Sequence, residues 1–391
     1  MAAAFLAMNS VYGSIFDVLP AEAADPETAD TVRSYYDFQF IFDVQLHFVR
    51  DEYAWQGLTG LRRYARNWNK ELKDEKATLE KLKFENFLEE VFLQSQTKIG
   101  LLSGAPSDDP DKWFLTNDEI ANARAIINSI AGSRRLLGHA IFTPGQPGWL
   151  EEIERAVEEL RPDSWKGYTI GDPLGPSRYP WRLDDEKLVY PAYEKMVKAG
   201  IRNVCIHKGL LPEEYEKTFP ELWKYANVDD VGKAARDWPQ LNFIIYHSAL
   251  RPLQEFTDAH IAAFEKDGYI PWVSDLAEIP SRYGVTNVYA ELGTAFATSA
   301  VTYPRHCAVL LGTLIKIMGP DRVLWGTDSV WYGSPQWQIE AFRRIEIPGD
   351  LREKFDLPSL GKPDGPVKNA IFGLNAARLY NIEGVDENIL S

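Results

Sequence analysis

Cysteine is nearly missing from this chain: 391 residues hold only two, Cys205 and Cys307, and neither belongs to a C-x-x-C pair or to another zinc-ligand spacing. A disulfide framework and a cysteine-built zinc site are excluded with it. Long hydrophobic runs are also absent. With no apolar stretch of about 18 residues, nothing in the sequence reads as a bilayer-spanning helix. Basic charge is in deficit, with 42 Lys and Arg against 57 Asp and Glu and a formal net charge of -15. Phosphate-rich partners require the opposite balance, so nucleic acids and anionic membrane surfaces are excluded as partners. The fingerprints of several enzyme classes are missing too: there is no G-x-S-x-G elbow, no G-x-x-x-x-G-K-[ST] phosphate loop and no G-x-G-x-x-G dinucleotide turn. Histidine is scarce, at six residues, which makes the places it does occur informative.

Aromatic residues, by contrast, are plentiful. The 12 Trp, 18 Tyr and 19 Phe within a 45% hydrophobic composition suffice for a large core and for an apolar pocket. Short runs rich in Val, Ile and Tyr recur, each followed by a longer stretch of helical periodicity, the alternation expected of a parallel sheet. The runs end near His47, Ser103, Thr143, Ile170, His207, His247, Glu291 and Asp328, on average about 40 residues apart. This rhythm predicts an α/β chain folded as one distorted (β/α)8 barrel over residues 36–391 with helical insertions. The longest insertion covers about 50–95, and its charged run from Lys70 to Lys83 reads as a solvated helix face. Helices are expected after Thr116-Asn117, which supply polar caps, and after Ser334-Pro335, where proline suits a first helical turn. Residues 1–35 read as an N-terminal arm. Their apolar start and the Ala21-Glu22-Ala23 small-x-small site suit the remnant of an export signal, but a basic segment is missing, so cytoplasmic and periplasmic locations both stay open.

Candidate chemistry gathers at the strand ends. His47, His207 and His247 each close an apolar run and Asp328 closes another, so one barrel rim would receive four ligands or proton carriers from four strands. Strand alternation puts Asp43, Gln45 and His47 on one face. Two histidines and a carboxylate form a ligand set for zinc, manganese or iron that leaves positions open for water and substrate. Glu291 is read as a ligand, a substrate contact or an ion-pair partner. Arg50 and Arg251, just past strands 1 and 6, are candidate carboxylate clamps or surface ion pairs. Lys208 should point away from the pocket by alternation, while His139 on strand 3 is free to face it. Trp331, Tyr332 and Trp337 form an aromatic wall or core packing. Ser248 and Ser329 adjoin His247 and Asp328 but face the other way, which rules out a serine triad.

The segments DVQLHF (43–48), IHKG (206–209), YHSA (246–249), GPDRVLWGTDS (319–329) and FGLNAARLYNI (372–382) resemble the amidohydrolase superfamily, specifically its second branch of metal-dependent barrel hydrolases and decarboxylases. The resemblance covers strand 1 and nearly everything from strand 5 onward. It implies a divalent metal, zinc foremost and manganese next, held by Gln45, His47, His207 and Asp328. Asp328 would also serve as the base and His247 as the proton carrier, with Glu291, Arg251 and Trp331 contacting a small organic substrate. Hydrolysis of an acid, lactone, amide or aromatic-derived carbonyl compound is the activity expected first, with non-oxidative decarboxylation as the alternative. Gln45 departs from the pattern, which has histidine at that position. Three readings stay open: its amide oxygen coordinates, a three-ligand site remains, or the barrel is a metal-free binder. Homo-oligomerisation is left open as well.

Overall fold

The computed structural model describes residues 1–66, 69–212, 214–252 and 258–385. Eight parallel strands follow one another in chain order: β1 (Phe42–Leu46), β2 (Ile99–Leu102), β3 (Leu136–Ile141), β4 (Ser164–Tyr168), β5 (Asn203–His207), β6 (Asn242–Tyr246), β7 (Val288–Glu291) and β8 (Val323–Leu324). Backbone hydrogen bonds from Val44 N to Trp325 O at 3.0 Å and from Asp328 N to Gln45 O at 2.9 Å join β8 back to β1. The result is the TIM barrel that the βα rhythm predicts, and each predicted strand end falls within a few residues of an observed one.

The strands are apolar on both faces because both are covered. Phe42, Val44, Leu101, Leu137, Cys205, Ile244 and Leu324 fill the barrel interior, and Tyr380 seals its N-terminal end against Phe42, with ring centroids 5.4 Å apart. Outside, helices cover the strands through a larger cluster that includes Trp165, Phe243, Trp325 and Phe342. The helix Asn117–Ala131 starts as its sequence predicts: the Thr116 hydroxyl accepts from Glu119 N, and the Glu119 carboxylate reaches back to Thr116 N at 2.7 Å. Gly200, at a φ of 74°, ends the helix Tyr190–Ala199 in a left-handed turn that leads into β5. No helix among the described residues is long and apolar enough to cross a membrane.

Two local expectations fail. The charged run in the 50–95 insertion forms short turns, Lys70–Leu72 and Leu79–Leu82, rather than one solvated helix. Leu72, Leu79 and Leu82 are buried, and Glu75 pairs with the fully buried Arg62 at 2.5 Å. Tertiary contacts with Arg62 outweigh helical periodicity in that segment. Within β1, the register to β2 shifts between Asp43 and Leu46. Strict alternation therefore breaks: Val44 faces the barrel interior, and Asp43 is bound to Thr327 N at 3.0 Å and Gln45 N at 3.1 Å instead of sharing the face of His47.

Candidate active site

A cavity of about 490 Å3 opens at the C-terminal rim, and Gln45, His47, His207, His247 and Asp328 all line it. His47 Nδ1 lies 2.6 Å from the Ser103 carbonyl oxygen, which can only accept, so the ring proton sits on Nδ1. Its Nε2 then turns a lone pair toward Asp328 Oδ1 at 2.9 Å. Two lone pairs that close require a proton or a metal ion between them. A divalent ion held by both atoms would satisfy the two lone pairs together. Asp328 Oδ2 accepts the Thr294 hydroxyl, whereas Oδ1 has no other donor among the described residues. Burial would raise the Asp328 carboxyl, but His47, with help from His247 and Thr294, holds it down to about 2.

The second pair is His207 with His247. His247 Nδ1 donates to the Gly293 carbonyl at 2.9 Å, which leaves Nε2 as an acceptor facing His207 Nδ1 at 2.9 Å and Gln45 Nε2 at 3.4 Å. His207 consequently donates from Nδ1 and keeps a lone pair on Nε2. Burial lowers His247 to about 4, so it is neutral near pH 7, and burial followed by the neighbouring His247 lowers His207 well below its ordinary value. Aromatic rings back both histidines: Tyr168 stacks on His207 with centroids 4.9 Å apart, and Trp331 on His47 at 5.4 Å. Gln45 Oε1 is buried with no donor among the described residues and lies against Gly293, where an added Cβ would approach it to 2.2 Å. In chemical type these groups fit a divalent ion, because two imidazoles, the Asp328 carboxylate and the amide oxygen of Gln45 meet one cavity. Their arrangement is two pairs, and among the described residues no three His, Cys, Asp or Glu side chains form a cluster able to hold a metal.

The amidohydrolase family model matches residues 103–382, more than two thirds of the sequence. The chain belongs to the amidohydrolase family. Among solved structures it is similar to an uncharacterised TIM-barrel protein from Bordetella bronchiseptica, at 16% identity and a TM-score of 0.56 over 87% of this chain and 98% of that one. It is also similar to 5-carboxyvanillate decarboxylase from Sphingomonas paucimobilis, at 17% identity and a TM-score of 0.47 over 88% and 99% of the two chains. A third is 2,6-dihydroxybenzoate decarboxylase from Rhizobium, at 16% identity and a TM-score of 0.48 over 88% and 100%. At these identities the likeness is one of fold. No curated protein matches the sequence.

Two residues expected to touch substrate in this amidohydrolase-family barrel stand elsewhere. Glu291 does not line the cavity. It is fully buried beneath it, accepting from His247 N at 2.9 Å and Gly293 N at 2.6 Å, and burial pushes its carboxyl up to about 8. Arg251 is also absent from the lining, being paired with Glu216 at 2.5 Å and lying 5.6 Å from the Trp272 ring. Charge pairing outside the pocket removes it as a clamp. Arg50 likewise bonds the Asp111 carbonyl at 2.8 Å. Lys208 points away as alternation requires, to Asp230 at 2.9 Å. His139 lies deep in the barrel between Ser164 and the Tyr246 hydroxyl. Trp331 and Tyr332 do line the cavity, whereas Trp337 is outside it and bonds the Tyr332 carbonyl at 3.2 Å. Neither serine approaches a histidine through its hydroxyl: Ser248 bonds the Glu291 carbonyl and Ser329 the Gly333 carbonyl.

Sequence reasoning missed Tyr168 and Thr294. Tyr168 was findable, because it ends β4 on the rim. Thr294 carried no signal: it reaches Asp328 only because the turn after β7 gives it a φ of 55°. His247 and Asp328 themselves sit at φ 61° and 59°, a left-handed conformation costing non-glycine residues about 1–3 kcal/mol and typical of sites where geometry is imposed by function.

Proposed function

We propose that this chain is a metal-dependent enzyme acting on a small organic molecule, with non-oxidative decarboxylation of an aromatic or unsaturated acid placed ahead of hydrolysis. The carrying observation is the cavity itself. Its described lining puts His47, His207, His247, Asp328 and Gln45 among mainly apolar walls and includes no Lys or Arg. With no Lys or Arg on the apolar walls to assist the ion, a substrate carboxylate is poorly solvated there, which favours its loss as CO2.

His47, His207 and Asp328, which stand as two separate pairs, would have to close together to hold the ion, with Gln45 Oε1 as a fourth donor after its amide turns from Gly293. Zinc suits the two imidazoles and the carboxylate, and an amide oxygen moves the preference toward manganese. When bound, the ion would supply a positive centre that orients and polarises an oxygen of the substrate. Decarboxylation replaces a carbon–carboxylate bond with a carbon–hydrogen bond, so one proton must reach that carbon. His247 is the carrier: Gly293 fixes its Nδ1 proton, so Nε2, which accepts from His207 Nδ1 at 2.9 Å, is the atom that would take up and pass a proton. Tyr168 and Trp331 hold the two ligand imidazoles by stacking.

Hydrolysis is the second reading, favoured by Asp328, which stays ionised and faces the cavity as a proton acceptor. The test uses protein purified without chelator, elemental analysis, and a panel of aromatic acids alongside the matching esters, lactones and amides. CO2 release from an acid without water uptake is the expected result. Acid release from an ester, lactone or amide without CO2 would overturn decarboxylation in favour of hydrolysis. Less than about 0.1 equivalent of divalent metal, unaltered by reconstitution, would sink both and leave a metal-free binding barrel.

A further inference from the structure

We infer that the substrate of this site carries a large apolar substituent opposite its reacting polar group, an inference that rests on the reading above. Volume is the first ground. A cavity of about 150 Å3 accommodates a benzene molecule, and this one, at about 490 Å3, has room for a ring at the ligand wall and for roughly two more groups of that size beyond it.

The second ground is what lines that extra space. Three segments build it: Trp55 and Leu61 from the insertion after β1, Leu174 from the loop after β4, and Leu211, Tyr215 and Phe219 from the segment after β5. Two of these are large apolar side chains left open to water, Trp55 at 52% and Leu174 at 42% exposure. The Trp55 indole lies directly over Gly57, where an added Cβ would meet the ring at 2.1 Å, so the glycine makes the place in which this ring rests at the mouth. No cation stands among the described lining residues to receive a second anionic group. An apolar tail that covered Trp55 and Leu174 would remove both from water, and each buried methylene strengthens binding by about threefold to fourfold.

The probes are phenol and its 3-ethyl, 3-butyl and 3-hexyl derivatives, which have no carboxylate to lose and no bond to hydrolyse. Titration calorimetry on the full chain, with metal content measured on the same sample, is expected to show Kd falling by about threefold per methylene through hexyl. In Trp55→Ser and Leu174→Asp, both at open positions that the core does not need, that slope is expected to flatten to less than half. A flat series in the parent, or an unchanged slope in both variants, overturns the inference. Metal content separates the two readings: a metal-loaded protein with a flat series refutes only the apolar tail, whereas a steep series on protein that takes up no metal refutes only the enzyme.

Discussion

Gln45 is the residue on which the chemistry of the site turns. Its oxygen is buried with no donor among the described residues, and its nitrogen faces His247, so the amide is only half satisfied. Replacing the amide by a carboxylate keeps the shape and adds a negative charge beside His47, His207 and Asp328. Gln45→Glu is therefore expected to tighten divalent-metal binding at least tenfold in a chelator competition, since a charged oxygen is a much stronger ligand than a neutral one. Unchanged affinity would place Gln45 outside the coordination sphere. His247 is expected to behave differently. If it carries the proton as proposed, its loss in His247→Ala should lower turnover by about 10²- to 10⁴-fold while metal content stays near that of the parent. Loss of metal in that variant would make it a ligand instead.

At the scale of elements, the site depends on how the insertion and the β8 loop are tied together. Arg62 is fully buried, donates to Glu75 and Glu90, and also reaches the Val330 carbonyl at 2.8 Å, next to the Trp331 that stacks on His47. One guanidinium thus anchors the insertion, the helical segment before β2 and the cavity wall. Arg62→Met leaves two partly buried carboxylates without their partner and should cost about 3 kcal/mol in urea denaturation. If stability is unchanged, the network is not holding these elements. Glu291 does similar work between β6 and β7, because its two oxygens fix the backbone at His247 and Gly293. Its strand end suits a ligand, a substrate contact or an ion-pair partner equally. Strand position placed it at the rim, but only the turn after it decided that its carboxylate would point down into backbone amides.

For the molecule as a whole, the floor of the barrel carries ionisable groups that titrate abnormally. Burial depresses the Lys166 amine to about 7, its Nζ has no hydrogen-bond partner among the described residues, and it lies 3.2 Å from the centre of the Tyr246 ring. The unfolded chain keeps that proton up to an ordinary lysine value of about 10.4, whereas the folded chain releases it above about 7. Folding therefore gives up a proton in this window, and stability falls as pH drops through it. Lys166→Met should be more stable than the parent at pH 7, with the advantage shrinking toward pH 10, as urea midpoints at the two pH values would record. An equal advantage at both would mean that the amine is not titrating. Asp43, raised to about 7, and Glu291, raised to about 8, act in the opposite sense: burial favours their protonated forms, so their contribution is lost as pH rises from the ordinary carboxylate range through those values.

The barrel, the order of its strands and the rim positions of His47, His207, His247 and Asp328 were legible in the sequence. Apolar runs alternating with helical periodicity leave few other ways to bury both faces of each strand, and a side chain that closes such a run must emerge at one end of the barrel. The pairing of these residues was not legible. Whether His47 meets Asp328 and His207 meets His247, and which atom of each ring is free, depends on contacts with Ser103, Thr294 and Gly293, which lie on other strands and turns. The register shift inside β1 and the ion pair that draws Arg251 out of the pocket belong to the same class. Periodicity is local and fixes where an element ends, whereas the direction of a side chain past that end is set by neighbours far away in the chain, which only the closed barrel brings together.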